Sequence, residues 1–140
     1  MRIVVDVNVI ISSLLSKGDS FNIFAANSIF NKFEFVAPEF LMIELEKHKK
    51  EILTRSKLSE EKFEEILAFI TEQISIIPSS QFGDFLPKAN ELLKDHLKDI
   101  QYVALSLKLN CSILSGDKTL KKLCPEIVLN PKELLNQMYR

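Results

Sequence analysis

An α/β domain built around a mostly parallel sheet is the fold class that this 140-residue sequence predicts. Short β-branched runs alternate with longer segments of helical periodicity, and the connections between them are short. Only 3 Gly and 5 Pro are present, which leaves little room for a linker, so a single domain over residues 1–140 is expected. A globule of this length has a radius of gyration near ~14 Å and can bury on the order of two-thirds of its unfolded surface.

The elements follow in order. Residues 2–5 (RIVV) form a β-branched run suited to a strand covered on both faces, ended by Asp6. Residues 8–15 turn helical, and 20–30 have helical spacing with Phe21, Phe24, Ala25 and Ile29 on one face. Residues 34–37 (EFVA) read as a second strand, closed by Pro38 at a helix start. Helices are predicted over 39–55 and 59–74. The second opens with Ser59 as N-cap and acids in its first turn, and carries Phe63, Ile66, Leu67 and Ile70 inward. Residues 75–78 give a third strand and 79–85 a loop. Helices follow over 86–93 and 99–109, the latter with Ile100, Val103, Ala104 and Leu107 inward. A strand at 112–114, a short helix at 119–123, a strand at 127–129 and a closing helix at 131–138 complete the chain.

The composition is 46% hydrophobic and 26% charged, with mean hydropathy +0.08, as in ordinary folded domains, which excludes disorder. No apolar run approaches the ~20 residues of a membrane-spanning helix. The opening segment meets Asp6 before the apolar core of an export signal could form, so a cytoplasmic location is expected. The 18 Lys+Arg against 19 Asp+Glu give a net charge of −1, which neither announces nor excludes nucleic acid. Cys111 and Cys124 form no CxxC pair and read as small buried hydrophobes in a reducing compartment.

In open α/β sheets ligands bind outside the carboxyl ends of the strands. Asp6 follows the first strand there, and Asp117 follows SILSG. Glu44 lies within a helix, with Phe40 and Leu41 four and three positions before it, and Asp99 opens the helix at 99–109. Each has an ordinary reading: Asp6 and Asp117 as caps, Asp99 as a first-turn acid, Glu44 as a partner of Lys47 or His48. Together they point elsewhere. Four carboxylates in one crevice repel unless a cation neutralises them or their pKa values rise. An all-oxygen set suits Mg²⁺ or Mn²⁺, ions that lower the pKa of a bound water and hold phosphate oxygens, so phosphodiester hydrolysis is the chemistry expected.

The order of these acids, in VVDVNVIIS, PEFLMIELEKH, KDIQYVALSLKLN and ILSGDKTL, resembles the acidic set of PIN-domain nucleases over nearly the whole chain. It is most similar to the VapC-like toxins of toxin–antitoxin pairs. The resemblance implies a three-layer α/β/α fold, metal-dependent cleavage of single-stranded RNA leaving 5′-phosphate and 3′-hydroxyl ends, a homodimer and a cognate antitoxin. It also implies that Asp6, Glu44, Asp99 and Asp117 are the catalytic metal ligands for Mg²⁺ or Mn²⁺, with Asn8 and Ser115 in supporting roles. Val7 stands where the family commonly has Thr or Ser, and Lys121 where some members carry a further acid.

Lys118, beside Asp117, is the nearest candidate for an RNA phosphate; Lys47, Lys49, Lys50, Arg55, Lys121 and Lys122 otherwise read as solvated helix faces. Neither a stacking platform nor a zinc spacing is evident, and His48 and His96 read as surface residues. Two other readings differ in kind. A phosphatase of the haloacid-dehalogenase type would want D-x-D where this chain has Asp6-Val7-Asn8. A catalytically weak or inactive PIN-like scaffold that binds RNA or a protein partner would have no need of four mutually repelling acids.

Overall fold

The computed structural model describes residues 1–139. Five strands, β1 (Arg2–Val5), β2 (Glu34–Pro38), β3 (Ile74–Ile77), β4 (Ser112–Leu114) and β5 (Val128–Leu129), form one sheet in the order β3-β2-β1-β4-β5. Every pairing is parallel, with Ile3 registered against both Phe35 and Ser112. Ile3, Val4 and Val5 are wholly buried, as a central strand of β-branched residues requires when helices cover both faces.

Eight helices occur among the described residues: α1 (Val7–Leu15), α2 (Asp19–Phe30), α3 (Phe40–Ser56), α4 (Glu60–Thr71), α5 (Leu86–Leu93), α6 (Ile100–Leu109), α7 (Lys118–Leu123) and α8 (Pro131–Met138). α1 packs on α2, α3 and α4, and α8 packs on α2. α5 packs on α6, which lies over β1, β2 and β4 with Tyr102, Val103, Ala104 and Leu105 buried. The α/β class and the parallel sheet read from the sequence are the ones observed. The order reverses at β1, with β2 and β3 to one side and β4 and β5 to the other. That reversal opens a crevice at the carboxyl ends of β1 and β4.

Local chemistry sets the boundaries. Ser59 caps α4 by accepting from the Lys62 N–H at 3.1 Å, and Asn130 and Glu133 form a reciprocal capping box on α8. Three expectations need correction. α4 ends at Thr71 rather than 74, because Ile74 joins the sheet opposite Phe35. The segment 79–85 is not an open loop but two 3₁₀ turns, Ser79–Gln81 and Gly83–Phe85, pinned by the buried Phe82 between them.

The inward face of α2 is Ser20, Ile23, Phe24 and Asn27, whereas Ile29 is 78% exposed. Asn27 sets that rotation: its amide accepts from the Lys32 and Phe33 N–H groups at 3.0 and 2.9 Å and donates to the Phe33 carbonyl at 3.0 Å. A buried amide with three of its hydrogen bonds supplied by the chain entering β2, and a fourth to Gln73 at 3.5 Å, outweighs the apolar count on the other ridge.

Candidate functional site

Asp6 is held by the sheet itself. Its N–H donates to the Leu114 carbonyl at 3.1 Å, continuing the β1–β4 pairing past the strand end. Its Oδ1 accepts from the Asn8 N–H at 3.4 Å, capping α1, and its Oδ2 accepts from the Ser115 hydroxyl at 2.7 Å. Ser115 Oγ also accepts from the Asp117 N–H at 3.1 Å, so one buried hydroxyl links the acid after β1 to the acid after β4. Asn8 meets Asp6 through its backbone, and its side chain is exposed rather than folded onto the carboxylate.

Asp117 caps α7, with Oδ1 accepting from the Thr119 and Leu120 N–H groups at 2.9 and 3.1 Å. Its Oδ2 faces Lys98 Nζ at 2.9 Å and His96 Nε2 at 3.6 Å. Asp99 precedes α6 and is only 3% exposed, with Oδ2 lying 3.0 Å from the same His96 nitrogen. Glu44, in the second turn of α3, accepts from the Tyr102 hydroxyl on α6 rather than from Lys47 or His48.

The charges of the four acids act on one another through Asp6, which raises both Glu44 and Asp99 and is itself raised by Asp117. Burial pushes Asp6 up, against hydrogen bonds from Ser115 and Asn8, and the charge of Asp117 adds to the rise. Glu44 is raised by burial and by Asp6, while Tyr102 pulls the other way. Asp99 is pushed up to about 6, first by burial and then by the Asp6 and Asp117 charges, against Lys98 and His96. Asp117 differs: burial would raise it, but Lys98 and the α7 N–H groups hold it below the usual carboxylate range. In return Asp117 raises Lys98.

Three residues around this crevice went unread in the sequence. Tyr102, His96 and Lys98 surround the acids, and His96 is half-buried rather than a surface residue. The signal was there in the spacing. His96 caps a 3₁₀ turn, Leu97–Asp99, and residues three apart in such a turn eclipse each other, so His-x-x-Asp superposes the imidazole on the carboxylate. Together, ligating atoms of His96, Asp99 and Asp117 all lie within 4.8 Å of one another.

Asp117 and Ser115 also line a groove of 470 Å³ that runs past Lys118, Lys121 and Lys132 to the start of α2. Lys118 is exposed on its wall, but the ammonium that reaches Asp117 belongs to Lys98. Lys121 is engaged elsewhere, donating to the Val128 carbonyl at 2.7 Å and lying 3.3 Å from Glu133. Of the other basic candidates, Lys49 pairs with Glu64 and Arg55 faces Glu51, on outer helix faces. A larger cavity of 700 Å³ lies beside Met1, Phe33 and Glu34, at the amino ends of the strands and away from the acids.

A family model described as a PIN domain matches residues 4–124. Among solved structures, the fold is similar to a chain in the crystal structure of VapBC2 from Rickettsia felis bound to a DNA fragment from their promoter. The TM-score is 0.67 at 14% identity, over 93% of this chain and 98% of that one. No curated protein matches the chain.

Proposed function

The chain belongs to the PIN-domain family, and from that premise we propose that it is a divalent-metal-dependent endoribonuclease acting on single-stranded RNA. PIN domains typically are nucleases and bind divalent metals. One observation carries the reading here: Asp6, Glu44 and Asp99 are each raised by burial and by a neighbouring acid in the same crevice. An arrangement that keeps carboxylates both buried and mutually repelling is one that a cation would relieve. The donor set fits Mg²⁺ or Mn²⁺, because all four acids offer carboxylate oxygens, and Glu44 Oε2 and Asp99 Oδ1 carry no hydrogen bond among the described residues.

Asp6, Glu44, Asp99 and Asp117 would hold the ion, which when bound supplies a water of lowered pKa and positive charge for the phosphate and the leaving oxygen. The chain's own groups prepare the site. Ser115 orients Asp6 and Asp117 together, Tyr102 orients Glu44, and α7 fixes Asp117 with Oδ2 turned toward the crevice. Lys98 Nζ, on a side chain 58% exposed, is placed to meet a phosphate oxygen once it leaves Asp117. The groove beyond Asp117, with Lys118 and Lys132 on its walls, offers the path for the flanking strand.

RNA rather than DNA, and a cognate antitoxin, are proposed from the family and from the VapBC2 neighbour. A homodimer is proposed on the same basis, and the exposed Ile29, Phe30, Met42 and Ile43 offer apolar surface for a partner.

The reading is tested by incubating wild type and Asp99→Asn with labelled single-stranded RNA, in Mn²⁺ and in EDTA. Cleavage by wild type in Mn²⁺ alone is the expected result, and equal cleavage by the variant would refute it. A non-cutting scaffold is favoured by a separate observation: the Lys98 ammonium, 2.9 Å from Asp117 Oδ2, already neutralises part of the acidic charge. Absence of metal binding by calorimetry would select that reading.

A further inference from the structure

We infer that His96 is a nitrogen ligand of the metal, giving this crevice a mixed N/O donor set that prefers borderline transition ions over Mg²⁺. The inference rests on the metal-dependent reading above. None of the four acids that the family resemblance assigns is a nitrogen donor, so the feature belongs to this chain's own residues.

The geometry supplies the argument. His96 Nε2 lies 3.0 Å from Asp99 Oδ2 and 3.6 Å from Asp117 Oδ2. Bonds of ~2.0–2.2 Å place neighbouring ligands of one ion roughly 3–3.5 Å apart, so the imidazole nitrogen stands at about that separation from each carboxylate, and ligating atoms of all three residues lie within 4.8 Å of one another. The imidazole is 22% exposed, against 42% for His48, which lies 3.9 Å from Glu51 on α3.

The placement of His96 is a product of the backbone. Lys94 adopts a left-handed φ of 56° after α5, the His96 N–H returns to the Leu93 carbonyl at 2.9 Å, and the 3₁₀ turn then stacks His96 over Asp99.

Chemistry then sets the preference. Carboxylate oxygens serve Mg²⁺ and Mn²⁺, whereas an imidazole adds affinity in the order Mn²⁺ < Co²⁺ < Ni²⁺ and little for Mg²⁺. A histidine that served only as a charged partner of Asp99 and Asp117 would change the binding of all these ions in parallel. The ratio of affinities therefore separates a ligand from a charge.

The experiment is calorimetric titration of wild type, His96→Gln and His96→Ala with MgCl₂ and with CoCl₂ at pH 8, alongside the visible absorption spectrum of the Co²⁺ form. Gln keeps a hydrogen bond to Asp99 without the ring nitrogen, and unfolding midpoints in EDTA verify that each variant folds. The expected result is a Co²⁺ affinity lowered about tenfold or more in both variants, with Mg²⁺ changed by less than about threefold and the Co²⁺ spectrum altered. An unchanged Co²⁺/Mg²⁺ ratio, with both ions still binding, would overturn the role of His96 and leave the metal-dependent reading standing. Failure of both ions to bind wild type would overturn the role of His96 and the metal-dependent reading together.

Discussion

The Tyr102 hydroxyl donates to Glu44 Oε1 and so joins α6 to α3 across 58 positions of sequence. Tyr102 is 1% exposed, and its own ionisation is pushed up by burial and by the acceptor it serves. The hydroxyl is thus a fixed donor, and it holds Glu44 down against the burial and the Asp6 charge that raise it.

Tyr102→Phe should therefore cost about 1.5–3 kcal/mol in urea unfolding, the value of a hydrogen bond to a charged acceptor. Glu44 would then titrate higher, and the acid limb of any pH–rate profile should move to higher pH. A variant with wild-type stability and an unmoved acid limb would show that the contact does not position Glu44.

The metal-free protein should lose stability as pH rises from about 4 to above 6. Asp99, raised from 3.8 to about 6, binds its proton more tightly folded than unfolded. Its contribution is fully present below the unfolded value and is lost as pH rises through about 6, on the order of 2 kcal/mol. Asp6 and Glu44 are shifted in the same direction and add to the loss. Asp117 is lowered, so its contribution is lost only as pH falls below the ordinary carboxylate value. Melting curves in EDTA from pH 4 to pH 8 measure the slope, and saturating Mn²⁺ should flatten it.

Much of this centre is legible in the sequence, and the exceptions share a cause. Asp6 and Asp117 could be placed because each follows an apolar run, and a parallel sheet brings its strand ends together. Lys98 and Tyr102 could not, since each acts on a carboxylate through a crossing that only the fold sets, Lys98 to Asp117 and Tyr102 to Glu44; the spacing of His96 marks Asp99, but its approach to Asp117 is set by the fold in the same way. Lys118 illustrates the converse, adjacent to Asp117 in sequence while the paired ammonium comes from the turn before α6. The face of α2 was misread for a related reason: Asn27 looks like a surface residue until its partners around β2 are known.

Asp6→Asn should reverse its effect on stability with metal. Asn remains a good helix cap and can still accept from Ser115, while the repulsion from Asp117 disappears. In EDTA the variant should melt about 2–5 °C above wild type. At saturating Mg²⁺ the order should invert, because only wild type gains full binding energy in the folded state. Equal responses to Mg²⁺ would show that Asp6 and the ion do not share a site.

Lys118 and Lys132 provide the remaining test, on the groove rather than the acids. Both are exposed along its walls, and neither touches the acid cluster through a hydrogen bond among the described residues. Their contribution should therefore appear in strand binding rather than in the chemical step. In Lys118→Ala the KM for RNA should rise several-fold with kcat little changed. The slope of log affinity against log salt should fall by about 0.7, the amount lost with one phosphate contact on a single strand. A matching loss of kcat with an unchanged salt slope would place Lys118 at the scissile phosphate instead, where Lys98 stands in the present geometry.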